Sequence, residues 1–365
     1  MTDLVVLSLE GWDDVWRRNQ YLVAGLLDAD PELRVLFVEP PVDPLHDLRG
    51  RRRPGTGHGL RLVRERLWSI RPVKWLPRRI DPGGDGRRMR AIVRAARGLG
   101  FTAPLLWVND PAGAPLMSRT GWPTMYDITD DWLSASRPPA ELARIAAGER
   151  LLLEKADAVV ACSPELVRRK SGARDGIRLI PNAVDAGAYS TPGARPRGLP
   201  SGPVALYLGT LHSDRLDAAL CARIARELAG RVTIVLAGPD LLSPSVQEAL
   251  DGAGVRRLGP LNRPDVPGHL QHADVLIVPH LITSFTDSLD PIKLYEYQAA
   301  ARPVVSTAVA GFRDASDPRI RIAGHDDFAE AILDAAASPL PDGPAEVADW
   351  STRVSQMRDV IASIA

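Results

Sequence analysis

The residues Asp290-Pro291-Ile292-Lys293-Leu294-Tyr295-Glu296 set an acid, a base and a second acid around the start of a helix predicted over 292–300. Asp before Pro is a helix-start signal, a capping carboxylate followed by a residue with no amide to satisfy at or near the first helical position. The free amides of that first turn, at the positive end of the helix dipole, form an anion site suited to a diphosphate. Lys293 adds a positive charge there, and Glu296, one turn on, offers two carboxylate oxygens to hydroxyl donors. The plain alternative is a surface ion pair three residues apart, worth about a few tenths of a kcal/mol.

Other residue types point to the same kind of chemistry. The apolar runs Val204 to Leu208, Val232 to Ala237 and Val255 to Leu258 end on Gly209, Gly238 and Gly259, with Thr210 and Pro239 following the first two. Glycine beyond the carboxyl end of a strand admits close approach by a bound ligand, whereas a tight turn accounts for any one of them alone. His280 ends another run, Val275 to Val278, as a ligand or as a satisfied structural histidine. Asp127, Asp130, Asp131 and Asp110 are candidate acids and bases, because neighbouring carboxyl groups can have their pKa values driven apart. Turn and cap duty is the alternative for these aspartates, with binding of an acceptor hydroxyl a further role for Asp127. Asp28-Ala29-Asp30 before Pro31 reads as a helix stop, so no metal site is expected. Cys162 and Cys221, each in apolar surroundings, support neither a disulfide framework nor a zinc cluster.

These groups need a scaffold, and the chain predicts one. Short β-rich apolar runs alternate with helical patterns throughout, the signature of parallel sheets wound with helices. Strands are expected at Leu4 to Leu9, Val35 to Val38, Leu105 to Val108, Thr124 to Tyr126, Ala158 to Ala161 and Arg178 to Ile180, with a helix over Pro139 to Ala156. The pattern then breaks at 187–203, rich in Gly, Pro, Ser and Arg, and restarts. The expected division is an N-terminal α/β domain at 1–186, a linker at 187–203, a C-terminal α/β domain at 204–343, and a helix within 344–365 that packs back on the first domain.

At 365 residues the chain exceeds the size at which one core usually stops growing, roughly 250–300 residues. Forty-five basic and forty-five acidic residues cancel, which removes any global electrostatic case for nucleic acid as partner. No apolar run approaches the length of a membrane span and no basic leader precedes the first strand, so a cytoplasmic protein is expected. Arginines crowd residues 49–97, interleaved with Trp68, Ile70, Trp75 and Leu76. That stretch reads as a solvated loop region or as a peripheral contact for anionic lipid or an acidic acceptor.

The segment Phe285 to Thr307 closely resembles the donor-site motif of GT-B glycosyltransferases of the retaining, GT4-like group. Ile180-Pro-Asn-Ala-Val-Asp185 resembles that group's interdomain signature, Ala156 to Ser163 the strand before it, Tyr126 to Trp132 a block of one bacterial branch, and Gly11 to Gln20 a first strand-to-helix loop. The resemblance implies two Rossmann-like domains facing a cleft and transfer of a hexose-type sugar from a nucleoside diphosphate to an acceptor hydroxyl or amine, with retention and without metal or cofactor. It implies that Gly11 approaches the donor phosphates, that Glu296 holds the ribose hydroxyls, that Arg215 grips the diphosphate, and that Trp12, Asp13 and Asp14 line the acceptor side. The acceptor is a small molecule, an oligosaccharide or a lipid-linked sugar. Ser288 stands where many members carry a second glutamate, with Asp287 and Asp290 as the nearby carboxylates. A nucleotide-sugar epimerase of the same fold and a non-catalytic nucleotide-sugar-binding partner are the competing readings.

Overall fold

The structure, a computed structural model, describes residues 3–49, 55–78, 80–339 and 347–365. The Arg51-Arg52-Arg53 run and the first residues of the expected 344–365 segment lie outside the described residues. Two compact units emerge, one formed by residues 1–129, 137–180 and 353–365, the other by 130–136 and 181–352.

The first unit is built on β1 (Asp3–Leu7), β2 (Arg34–Val38), β3 (His58–Arg64), β4 (Leu67–Arg71), β5 (Leu105–Val108), β6 (Thr124–Ile128), β7 (Ala158–Ala161) and β8 (Arg178–Leu179), in spatial order β3-β4-β2-β1-β5-β6-β7-β8. All neighbours are parallel except β3 and β4, an antiparallel pair at the sheet edge. The described residues of the 49–97 stretch are therefore more structured than a solvated loop: they hold this hairpin and nearly all of a helix, Gly84–Gly98. Arginine hides the alternation, since β3 is mostly exposed while β4 turns Leu67, Ser69 and Ile70 inward.

The second unit carries β9 (Val204–Leu208), β10 (Thr233–Ala237), β11 (Arg256–Gly259), β12 (Val275–Val278), β13 (Val304–Ser306) and β14 (Ile320–Ile322), all parallel, in the order β11-β10-β9-β12-β13-β14. Side chains alternate across β9: Ala205 and Tyr207 join the core on one face, Val204 and Leu206 the core on the other. Burial on both faces is why these strands read as continuous apolar runs. The strand order reverses between β9 and β12, the switch point at which ligands of such sheets bind.

Residues 187–203, expected as a linker, fall inside the second unit, and the helix Trp350–Ala362 is divided, residues from Arg353 onward counting with the first. Within the first unit Val354 packs so closely on Gly25 that a Cβ there would come 2.4 Å from its methyl. Among the described residues no helix is long and apolar enough to cross a membrane.

Candidate functional site

At the switch point the sheet parts. β9 and β10 pair along five residues, but β9 and β12 only at Ala205 and Leu206. The freed Leu208 amide donates instead to the hydroxyl of fully buried Tyr297, at 2.9 Å. Tyr297 belongs to the helix Ile292–Ala300, so this bond pins the helix beside the carboxyl ends of both strands.

That helix starts without a side-chain cap, Pro291 occupying the capping position. Asp290, expected as the cap, is used elsewhere: it accepts from the Asn182 amide and, at 2.9 Å, from the Tyr295 hydroxyl. At the helix start the Leu294 amide turns back to Pro291 O at 2.9 Å, which leaves the Ile292 and Lys293 amides as those that could meet an outside anion.

Lys293 reaches back over the sheet. Its Nζ donates to the Tyr207 hydroxyl at 2.9 Å, lies 3.2 Å from His280 Nε2 and sits 4.2 Å from the centre of the Tyr207 ring. Tyr207 and His280 are themselves in hydrogen-bond contact at 3.1 Å. Burial first, and then the charges of Lys293 and Arg215, hold His280 well below its usual pKa, so the ring is neutral. Burial, reinforced by Arg215 and opposed by Glu296, lowers Lys293 to about 7. Arg215 completes the cationic side: its guanidinium lies 5.6 Å from the centre of the Phe285 ring, and its carbonyl accepts from the Leu281 amide at 2.8 Å.

Glu296 is half-buried, and no hydrogen bond or ion pair engages its carboxylate among the described residues. Burial, opposed by Lys293, raises it to about 7. Lys293 and Glu296 are thus not the surface ion pair of the plain alternative.

The glycines divide by role. A Cβ on Gly238 (φ +142°) would lie 2.1 Å from the Gly209 carbonyl, so that glycine serves the packing of two strand-end turns rather than a ligand. The Leu211 amide bonds Pro239 O across the same turns at 2.8 Å, and Thr210 O lies 3.5 Å from the Tyr207 hydroxyl. Gly209 (φ +147°) is the position that faces the site, since a Cβ there would come 2.9 Å from Lys293 Nζ.

Ser288 is fully buried and donates to Phe285 O at 2.8 Å, leaving no space for a longer acid. Neither neighbour replaces the missing glutamate: Asp287 pairs with Arg313, and Asp290 is bound as described.

The N-terminal candidates fare differently. Asp127 is fully buried, taking two bonds from Arg18 (3.1 and 3.2 Å) and one each from Trp107 Nε1 and Asn109 Nδ2 at 3.2 Å. It is a saturated core ion pair, not an acceptor-binding group. Asp110 caps the turn Pro111–Gly113 by accepting from the Ala112 amide at 2.8 Å, with burial raising its pKa. Asp130 and Asp131 fall in the second unit. Asp131 is buried and accepts from Ser134 Oγ at 2.7 Å, a turn role, and the adjacent Trp132 ring packs against Phe285 with centroids 5.8 Å apart. Asp127, Asp130 and Asp131 therefore do not form one acid–base group. Gly11 O accepts from Gln20 Nε2 at 2.8 Å, Trp12 packs edge-on against Phe37 with centroids 5.1 Å apart, and Asp13 and Asp14 are exposed. Among the described residues no group of His, Cys, Asp and Glu is arranged to hold a metal ion.

The sequence reading missed Tyr207, which looks like one more core residue of β9, and the cluster in the first unit where buried Glu39 faces His58 at 3.1 Å and Arg71 at 3.8 Å. The aromatic hydroxyl at the end of a buried strand was the available signal for the first; the second is brought together only by the β3–β4 hairpin.

Residues 202–338 match the family described as Glycosyl transferases group 1. A protein of Bacillus subtilis (strain 168) bearing the name of a teichuronic acid biosynthesis glycosyltransferase, TuaH, is 26% identical over 55% of this chain and 55% of its own length. The D-inositol 3-phosphate glycosyltransferase of Arthrobacter sp. (strain FB24) is 28% identical over 69% of this chain and 61% of its own length. The chain thus spans between half and two thirds of these relatives. Among solved structures, Anabaena HepE in complex with UDP and glucose superposes with a TM-score of 0.68 at 15% identity, each chain covered in full. A trehalose-6-phosphate structure from E. coli with UDP-2-fluoro glucose superposes at 0.65 and 13%, covering 100% of this chain and 96% of that one. The fold is that of the GT-B glycosyltransferases.

Proposed function

We propose that this chain, a GT-B fold carrying a group 1 glycosyl transferase domain, transfers a sugar from a nucleoside diphosphate sugar to an acceptor hydroxyl or amine. The observation that carries the reading is the pairing, on one helix without a side-chain cap, of a cationic tip at Lys293 with a Glu296 carboxylate that nothing engages among the described residues. The helix amides, Lys293 and Arg215 meet the diphosphate; Glu296 accepts from the ribose hydroxyls. UDP, named in the titles of several similar structures, is the first nucleotide to try.

The chemistry asked of the protein is stabilisation of the departing diphosphate and orientation of the sugar, the usual large terms in such transfers. Two cations and a helix start supply that charge, which supports transfer without a metal or bound cofactor. Retention, with the leaving diphosphate guiding attack on the same face, fits a site whose nearby aspartates are all engaged.

Mass-labelled donor incubated with and without a sugar acceptor tests the reading. Glycoside plus free nucleotide is expected; an isomerised donor sugar indicates the epimerase instead, and no turnover with intact nucleotide binding indicates a binding partner.

Peripheral contact with anionic membrane through residues 49–97 belongs to the same proposal, since Trp75, Ile80 and Leu62 are 70%, 67% and 61% exposed among arginines. Co-sedimentation with phosphatidylglycerol vesicles, lost in high salt, is expected; equal recovery with phosphatidylcholine vesicles refutes it.

A further inference from the structure

We propose that Tyr207 and His280 are positioning residues that share protons with Lys293, so that a diphosphate seated beside the Gly209 turn draws one proton from solvent onto Lys293 Nζ. The inference rests on the donor-site reading above and concerns how that site is charged.

Three heteroatoms from three different segments stand within 3.2 Å of one another: Tyr207 Oη at the end of β9, His280 Nε2 just beyond β12, and Lys293 Nζ from the helix. Their proton count decides the state. With Lys293 neutral, the phenol can donate to the amine and the amine to the imidazole lone pair, which makes hydrogen bonds of the Tyr207–Lys293 and Lys293–His280 contacts and leaves the 3.1 Å Tyr207–His280 approach without a shared proton. With Lys293 charged, two of its protons go to Tyr207 Oη and His280 Nε2, and the third has no acceptor in the triangle. The phenol proton then either takes the His280 Nε2 lone pair at 3.1 Å, leaving two ammonium protons without an acceptor in the triangle, or is left with Thr210 O at 3.5 Å, beyond a good hydrogen bond. The third ammonium proton needs an oxygen from outside, and the Gly209 turn, where no Cβ stands in front of Nζ, leaves it room.

The charges facing this group point the same way. Arg215, on the loop after β9, opposes the ammonium; Glu296, one turn on, favours it; Asp214 pairs with Arg215 and His212 and is drawn off. Burial holds the Tyr207 phenol protonated, so it acts as donor and acceptor but not as an anion. In the empty site Lys293 titrates at about 7. A bound diphosphate supplies the missing negative charge and acceptor, and the proton ends on Nζ, taken from buffer.

Calorimetry of UDP binding at pH 8 in two buffers of different ionisation enthalpy reads this directly. Uptake of nearly one proton, ~0.9 from the titration midpoint, is expected in the wild type. Glu296 is by then largely ionised and contributes little. Lys293→Met should bind more weakly with no uptake. Tyr207→Phe removes one acceptor of the ammonium, so its affinity deficit should be larger at pH 8.5 than at pH 6.5. Intact binding with no uptake in the wild type, or a Tyr207→Phe deficit equal at both pH values, overturns the inference. Wild-type affinity in Lys293→Met overturns the donor-site reading instead.

Discussion

Lys293 and Glu296 lie three residues apart on one helix and do not meet: the ammonium turns to Tyr207 and His280, and among the described residues no hydrogen bond or ion pair engages the carboxylate. Two half-buried charges held apart in this way are expensive to the fold and useful to a ligand that bridges them.

Replacing Glu296 by Gln removes a charged acceptor of hydroxyl bonds, each worth about 1.5–3 kcal/mol. Nucleotide affinity should fall about 10- to 100-fold in a titration. Stability should move the other way. The carboxyl group keeps its proton to about pH 7 when folded and releases it near 4.5 when unfolded, so the stability it contributes is present below pH 4.5 and is lost as pH rises through 7. The variant should therefore melt higher than the wild type at pH 8 and show no such gain at pH 4. Unchanged affinity removes Glu296 from the site.

Arg18 and Asp127 should matter to the fold alone. Arg18→Met strands a buried carboxylate that keeps only Trp107 and Asn109, and loss of one partner of a buried pair costs about 3–5 kcal/mol. A denaturant midpoint within error of the wild type would show that Asp127 is not structural.

Restoring the usual family acid as Ser288→Glu should harm the protein. The site is fully buried, and a carboxylate placed there without a cation costs several kcal/mol or forces the turn open. A large drop in melting temperature with no gain in turnover is expected. A stable, faster enzyme would mean that the loop accommodates the acid after all.

Ala301 ends the helix Ile292–Ala300 with φ of +54°, a left-handed conformation that disfavours a side chain. Ala301→Gly should stabilise by up to about 1 kcal/mol, read as a higher melting temperature. No change would mean that packing of the Ala301 methyl offsets the backbone gain.

The parallel strands were legible because both faces of each sheet are covered, which writes them as apolar runs. The β3–β4 hairpin was not, since arginines occupy its exposed positions, and β14 was hidden by its short, mostly exposed edge. Lys293 and Glu296 could be placed on one helix turn from spacing, while the motif around them is what made them site candidates rather than a surface pair. Asp290 could not, because local capping preference lost to Asn182 and Tyr295, contacts that only the fold creates. The aspartates of the first half illustrate the same limit: sequence places Asp127 near Asp130 and Asp131, while folding gives the first to a core ion pair and the others to a different unit.

That division bears on how the chain could be recombined. It passes from one unit to the other after Thr129, Ser136, Ile180 and Thr352. A chimera spliced at residue 180 would draw Trp132 from one parent and its ring partner Phe285 from the other. Exchange of the carboxy-terminal half between relatives would therefore have to carry residues 130–136 along with it to keep that pair from one parent.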